Sequence, residues 1–206
     1  MEDVLEVYHR PYDPVYPVVC MDESNKQLVA DTVRPIPCAP GKPKKVDHEY
    51  VRKGVAEIFM ATEPLTGMVA TRITETRTRK DWAAFVKYLL ECRYPDAKKV
   101  ILIMDNLNTH GVASFYATYS PEEALRLSNR FEIHYTPKHG SWLNVAEIEL
   151  SALSVQCLDR RFENIAALAT EAAAWEKERN ARCRPIKWQF KTADARIKLK
   201  SIYPQI

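Results

Sequence analysis

The spacing of apolar and polar positions changes several times along this chain, and each change marks an element. Val15, Val18, Val19, Cys20 and Met21 form a short apolar run closed by Asp22 and Glu23. Its continuous rather than alternating character suits a strand buried on both faces. Ahead of it, residues 1–14 are mixed, contain Pro and show no hydrophobic period, so they read as a residual linker. Residues 31–47 are Pro-rich and basic, an exposed loop or loose hairpin arm. Residues 55–62 and 68–75 are strand-like and joined by a linker holding Pro64 and Gly67, which predicts an antiparallel hairpin. The period then changes: Trp82, Phe85, Val86, Leu89 and Leu90 recur at helical spacing until Pro95. Val100–Met104 is a second buried strand, again closed by an aspartate, Asp105. Ser120-Pro121-Glu122-Glu123 is a helix start, with Ser as N-cap and Pro in the first turn. A strand at 131–135 ends at Pro137, helical stretches follow at 145–158 and 165–179, and a basic, aromatic tail begins at Pro185.

Antiparallel strands first and strand–helix alternation afterwards predict an α/β fold, a mixed five-stranded sheet flanked by helices. That order fits a ribonuclease-H-like layout. The expected division is a linker at 1–14, one catalytic domain at 15–184 and a basic tail at 185–206, packed on the domain or extending from it.

Composition narrows the chemistry. With 206 residues, 46% apolar and 28% charged, the chain can bury a substantial core and does not resemble a disordered one. The longest aliphatic run is the five residues Val100–Met104, too short to span a bilayer. No apolar leader opens the chain, so the expected location is cytoplasmic. Five cysteines (20, 38, 92, 157 and 183) form no CxxC, which removes the support for a zinc ribbon and suggests reduced thiols. Five glycines make neither GxGxxG nor a Walker loop, so dinucleotide and P-loop chemistry is excluded. A net charge of +3 leans toward a polyanionic partner.

Asp22 and Asp105 are the sharpest feature, since each closes an apolar strand. If those strands are parallel neighbours, both carboxylates emerge at the carboxyl edge of the sheet, where open α/β sheets bind ligands. Two carboxylates held close repel, and a hard cation relieves the repulsion. A third acid is available in NVAEIE at 144–149. Glu147 and Glu149 point roughly 200° apart on a helix, so one alone can join the site, and periodicity leaves the choice open.

VVCMDE at 18–23, ILIMDNLNTH at 101–110 and TPKHGSWLNVAEIE at 136–149 together resemble the DDE transposases, and within them the bacterial insertion sequence 630 branch of the mariner-type superfamily. The tail WQFKTADARIKLKSIYP at 188–204 is also similar to the end of those proteins, so the resemblance covers nearly the whole chain from about Tyr16. In that family the metal triad is an Asp on the first strand, an Asp opening a DNxxxH-like segment and the Glu closing LNxxE. Those positions are Asp22, Asp105 and Glu147 here, which decides against Glu149. Forty-one residues separate Asp105 from Glu147, a longer interval than is usual among mariner relatives, with the excess at 111–130. The resemblance implies two divalent ions, Mg²⁺ or Mn²⁺, and phosphoryl transfer by in-line displacement. It also implies DNA partners (transposon ends and TA-containing targets) and dimers acting on paired ends.

Several side chains are candidates for DNA contact. His110 could orient a phosphate or water, Lys138 and His139 could grip phosphates, and Trp142 could stack on a base or anchor its loop. Lys42, Lys44 and Lys45, with Arg52 and Lys53, could reach DNA or a partner subunit, and Arg77, Arg79 and Lys80 form a similar cluster. The helix-turn-helix modules that precede the catalytic domain in such transposases have no counterpart here, so the expectation is a catalytic domain alone, an N-terminally truncated remnant. Two other readings are a stand-alone ribonuclease-H-like nuclease that cuts without joining, and a non-catalytic DNA-binding remnant.

Overall fold

The computed structural model describes residues 1–107, 110–138 and 140–200. A mixed five-stranded sheet in the order β3-β2-β1-β4-β5 forms its centre. The strands are β1 (Val18–Asp31), β2 (Tyr50–Glu63), β3 (Met68–Thr74), β4 (Val100–Met104) and β5 (Phe131–Tyr135). β1, β2 and β3 pair antiparallel, whereas β4 and β5 run parallel to β1, as the order of elements in the sequence implies.

The helices are α1 (Glu2–Tyr8), α2 (Arg79–Tyr88), α3 (Val112–Tyr116), α4 (Pro121–Ser128), α5 (Ala146–Gln156), α6 (Ile165–Arg182) and α7 (Thr192–Lys198). α2 starts where the sequence directs it: the Thr78 side chain accepts from the Asp81 backbone N–H, and Asp81 accepts from Thr78 in return. It then runs on through a π-helical turn, Leu89–Arg93. Ser120 caps α4 through the Glu123 N–H, with Pro121 opening the helix.

Helices cover both faces of the sheet. On one, α2, α3 and α4 bury Trp82, Phe85, Phe115 and Leu127 against Val19, Met21, Leu102 and Met104. On the other, α1, the start of α5 and α7 pack Val4, Leu5, Val145 and Ala195 against Val18, Cys20, Ile101 and Ile103. A third cluster joins α5 and α6 to Ile58, Met60 and Val69. At the β2–β3 turn Gly67 has φ +73°, and a Cβ there would lie 2.4 Å from the Arg184 backbone, so glycine lets the turn abut the end of α6.

Three features depart from the sequence reading. β1 does not stop at Asp22; it continues to Asp31 as the partner of β2, so Asp22 lies inside a strand. Its second half is mostly polar, although Leu28 is buried there against Leu158 and Phe162, which follow α5. Residues 2–8 are not linker but a helix whose Val4, Leu5 and Val7 are fully buried. The tail, by contrast, takes one of its two expected arrangements, packed on the domain through α7 and through Ile186, Trp188 and Phe190. Residues 32–49 make an exposed hairpin arm with bridges Ile36–Lys45 and Ala39–Lys42. Its base is fixed rather than loose, because Arg161 donates to Asp31, to the Asp47 carbonyl and to the Glu49 carbonyl.

Candidate active site

Parallel pairing of β1 with β4 matches Cys20 with Ile103, and two further residues along the same register Asp22 comes beside Asp105. Pairing therefore ceases just where the acids begin, leaving their backbone free to diverge. Alternation along β1 puts Asp22 on the face of Cys20, toward the start of α5, and Glu23 on the opposite face with Met21.

Three contacts hold the acids in place. Thr136, just past β5, donates its hydroxyl to Asp105 Oδ1 at 2.6 Å. The Glu23 backbone N–H donates to Asp22 Oδ1 at 2.8 Å. Asn144, fully buried, donates its Nδ2 to the Met21 carbonyl at 2.8 Å and accepts from the Ala146 N–H at 3.2 Å. One side chain thus ties the first turn of α5 to the strand residue preceding Asp22, fixing how far Glu147 stands from it.

Tyr8 of α1 braces the same junction. Its hydroxyl donates to the Leu143 carbonyl at 2.6 Å and accepts from the Val145 N–H at 3.2 Å, bracketing Asn144. It also lies 3.3 Å from Cys20 Sγ. Burial pushes the Cys20 thiol up to about 12 and drives the Tyr8 phenol upward as well, so both stay neutral. Neither Tyr8 nor its role was legible, since residues 1–14 carry no period.

The electrostatics report the convergence. Asp22 is raised from 3.8 to about 7, first by burial and then by the negative charges of Asp105, Glu23 and Glu147, against the opposing Glu23 N–H bond. Asp22 therefore lies within electrostatic reach of two acids from distant parts of the chain. Glu149 is not available to that site. It is buried, and its two oxygens accept from Arg179 of α6 at 2.7 and 2.8 Å. Among the described residues, no three His, Cys, Asp or Glu side chains are already drawn together to ligand distance. Carboxylate oxygens such as those of Asp22, Asp105 and Glu147 are donors of the hard-oxygen kind that suits Mg²⁺ or Mn²⁺.

Residues 17–169 match the family model of the DDE superfamily endonucleases. The chain belongs to that family. No curated protein matches the sequence. Among solved structures, the DDE-family chain is similar in fold to the Mos1 mariner paired-end complex with Mn (TM-score 0.56, 18% identity, 88% of this chain and 55% of that one). It is also similar to the Mos1 strand transfer complex (TM-score 0.55, 16% identity, 85% and 51%). A third is the Mos1 transposase paired-end complex with the left transposon end (TM-score 0.57, 17% identity, 88% and 56%). The chain therefore spans about half the length of these proteins. The likeness extends the ribonuclease-H-like expectation to this sheet and its helices.

The remaining candidates are dispersed. Lys42, Lys44 and Lys45 are exposed on the arm, and Lys138 is exposed beyond β5. Trp142 is 45% exposed on a 3₁₀ turn, its ring facing Trp188 and edge-on to Phe190, so it anchors the tail while keeping a free face. His139 lies outside the described residues. His110 is buried, stacked on Trp82 on the α2 face of the sheet, and so offers no surface to a phosphate. Among the described residues, no helix is long and apolar enough to cross a membrane.

Proposed function

We propose that this DDE-family chain is the catalytic domain of an insertion sequence 630/mariner-type transposase, and that Asp22, Asp105 and Glu147 hold two divalent ions for DNA strand cleavage and strand transfer. The observation that supports this reading is that Asp22, raised chiefly by its burial, also feels the negative charges of Asp105 and Glu147, two acids from separate elements. Divalent ions such as Mg²⁺ or Mn²⁺, when bound there, supply Lewis acidity for the attacking and leaving oxygens of an in-line displacement.

The chain's own residues do the positioning. Asn144 and Tyr8 fix Glu147, Thr136 orients the Asp105 carboxylate, and Asp22 releases its proton where a cation takes the proton's place. Water attack on the phosphorus would free a 3′-hydroxyl, which in strand transfer becomes the next attacking group. DNA is the partner, with contacts assigned to Lys42, Lys44, Lys45, Lys138, His139 and Trp142. Dimers on paired ends and a cytoplasmic, nucleoid-associated location belong to the same proposal.

The test is Mn²⁺-dependent nicking of supercoiled plasmid, with joining of a 3′-hydroxyl oligonucleotide scored in the same reaction. Activity in both assays, lost in Asp105→Asn, is expected. Nicking without joining would favour a stand-alone nuclease, and DNA binding that survives loss of all three acids with no nicking would favour a non-catalytic remnant.

A further inference from the structure

Asp105 stands at the start of a loop whose other end is buried on the opposite face of the sheet. The Leu107 N–H donates to the Asp105 carbonyl at 2.9 Å, and the His110 N–H donates to the Leu107 carbonyl at 2.9 Å. These two hydrogen bonds connect Asp105 to His110 through Leu107. The His110 ring is stacked on Trp82 at an interplanar angle of 14°, and its Nε2 lies 2.9 Å from Glu23 Oε1. Both side chains are almost wholly withdrawn from water, 2% and 3% exposed. The two atoms are close but out of line for a hydrogen bond, and neither has another partner among the described residues. Burial of two polar side chains at such cost calls for a role, since each depends on the other for compensation. Gly111 follows in an extended conformation, φ +155° and ψ 179°, and a Cβ there would meet the Tyr135 hydroxyl at 3.1 Å, so the chain passes close to β5 as it enters α3.

We infer that Glu23, His110 and Trp82 form a clip that sets the position of Asp105 against Asp22 from behind the sheet. Glu23 is the strand neighbour of Asp22 but faces the other layer. A grip on His110 therefore references the Asp105 loop to the residue next to its partner acid. Glu23 and His110 are positioning residues; neither touches DNA or a cation. The inference rests on the reading that Asp22 and Asp105 share a metal site, and outer-shell groups of this kind alter metal affinity by roughly tenfold to a hundredfold.

Two measurements on the whole chain decide it: amide hydrogen exchange across residues 100–112, and Mn²⁺ affinity by paramagnetic resonance titration. The proteins are wild type, Glu23→Gln, His110→Asn and the double variant. The clip predicts faster exchange at Leu107 and His110 in each variant while β1 and β4 stay protected, which also shows that the fold survives. Mn²⁺ affinity should fall at least tenfold in either single variant and no further in the double, because the two residues act as one unit. Unchanged exchange would overturn the clip whatever the metal does. Faster exchange with wild-type Mn²⁺ affinity would reduce the pair to a structural contact and overturn the positioning role. A wild-type protein that binds no Mn²⁺ would instead sink the metal-site reading and the positioning role with it, while exchange still judges the clip.

Discussion

Asp22 holds its proton close to neutrality because burial and three neighbouring carboxylates oppose its charge. In an unfolded chain it would ionise near its ordinary value, so the folded state binds more protons between the two pKa values. Stability from this group is therefore undiminished below pH 4 and is lost as pH rises through about 7. Asp22→Asn should raise the unfolding temperature of the metal-free protein at pH 8 and leave it near wild type at pH 4. The shift from 3.8 to about 7 caps the gain at about 4 kcal/mol. Mn²⁺ should stabilise wild type at pH 8 and not the variant. Calorimetry at the two pH values checks both signs. Asn144→Ala tests the tether: it strips the Met21 carbonyl and the Ala146 N–H of their partner and should cost about 1–3 kcal/mol while abolishing nicking. Asp22 and Asp105 were legible because each follows an apolar run. Asn144 was visible only as part of a motif, since its bonds to β1 span more than a hundred residues.

α5 carries two acids to which the proposal gives opposite duties, and among the described residues only Glu149 is held in an ion pair. Glu149 faces α6 and pairs with Arg179, buried at one end of the pair and half-buried at the other. Removing it strands a guanidinium, so Glu149→Ala should cost about 3 kcal/mol or more, read by denaturant unfolding. Glu147→Ala leaves no charge unpaired and should keep wild-type stability, yet it should lose both the Mn²⁺ response and nicking. If the two variants exchanged these phenotypes, the assignment of the third acid would be reversed. Periodicity alone could not choose between them, because Ile148, Leu150 and Leu153 permit either face; the Arg179 partner comes from an element thirty residues on. α1 was illegible for a related reason. Seven residues are too few to establish a period, and its burial comes from the sheet face it covers. Leu5→Ala should cost about 2–5 kcal/mol, as deletions from a close-packed core do.

At the scale of the molecule, the mixed character of the sheet was the most legible feature, because antiparallel hairpins and parallel crossovers leave different local spacings. Charge placement was less so. The net charge is +3, yet the proposed metal site is acidic, so the cations that would draw DNA to it must stand around it. Arg77, Arg79 and Lys80 are exposed where β3 leads into α2, and Thr74, at the end of β3, aligns through Glu57 with Asn25 of β1, three residues beyond Asp22. Lys42, Lys44 and Lys45 are exposed on the arm that extends from the same strands in the same direction. Each lysine or arginine that neutralises a phosphate adds about 0.9 to the slope of log K against log salt. With Asp105→Asn as background to prevent cleavage, replacing Arg77 and Lys80 by Ala should lower that slope by about 2 on a generic duplex, and replacing the three arm lysines by about 3. Fluorescence anisotropy across a salt series measures it. An unchanged slope in the arm variant would remove the arm from the DNA path and leave the β3–α2 corner as the approach to the acids. An unchanged slope in both would mean that the positive charge of this fold faces something other than a phosphate backbone.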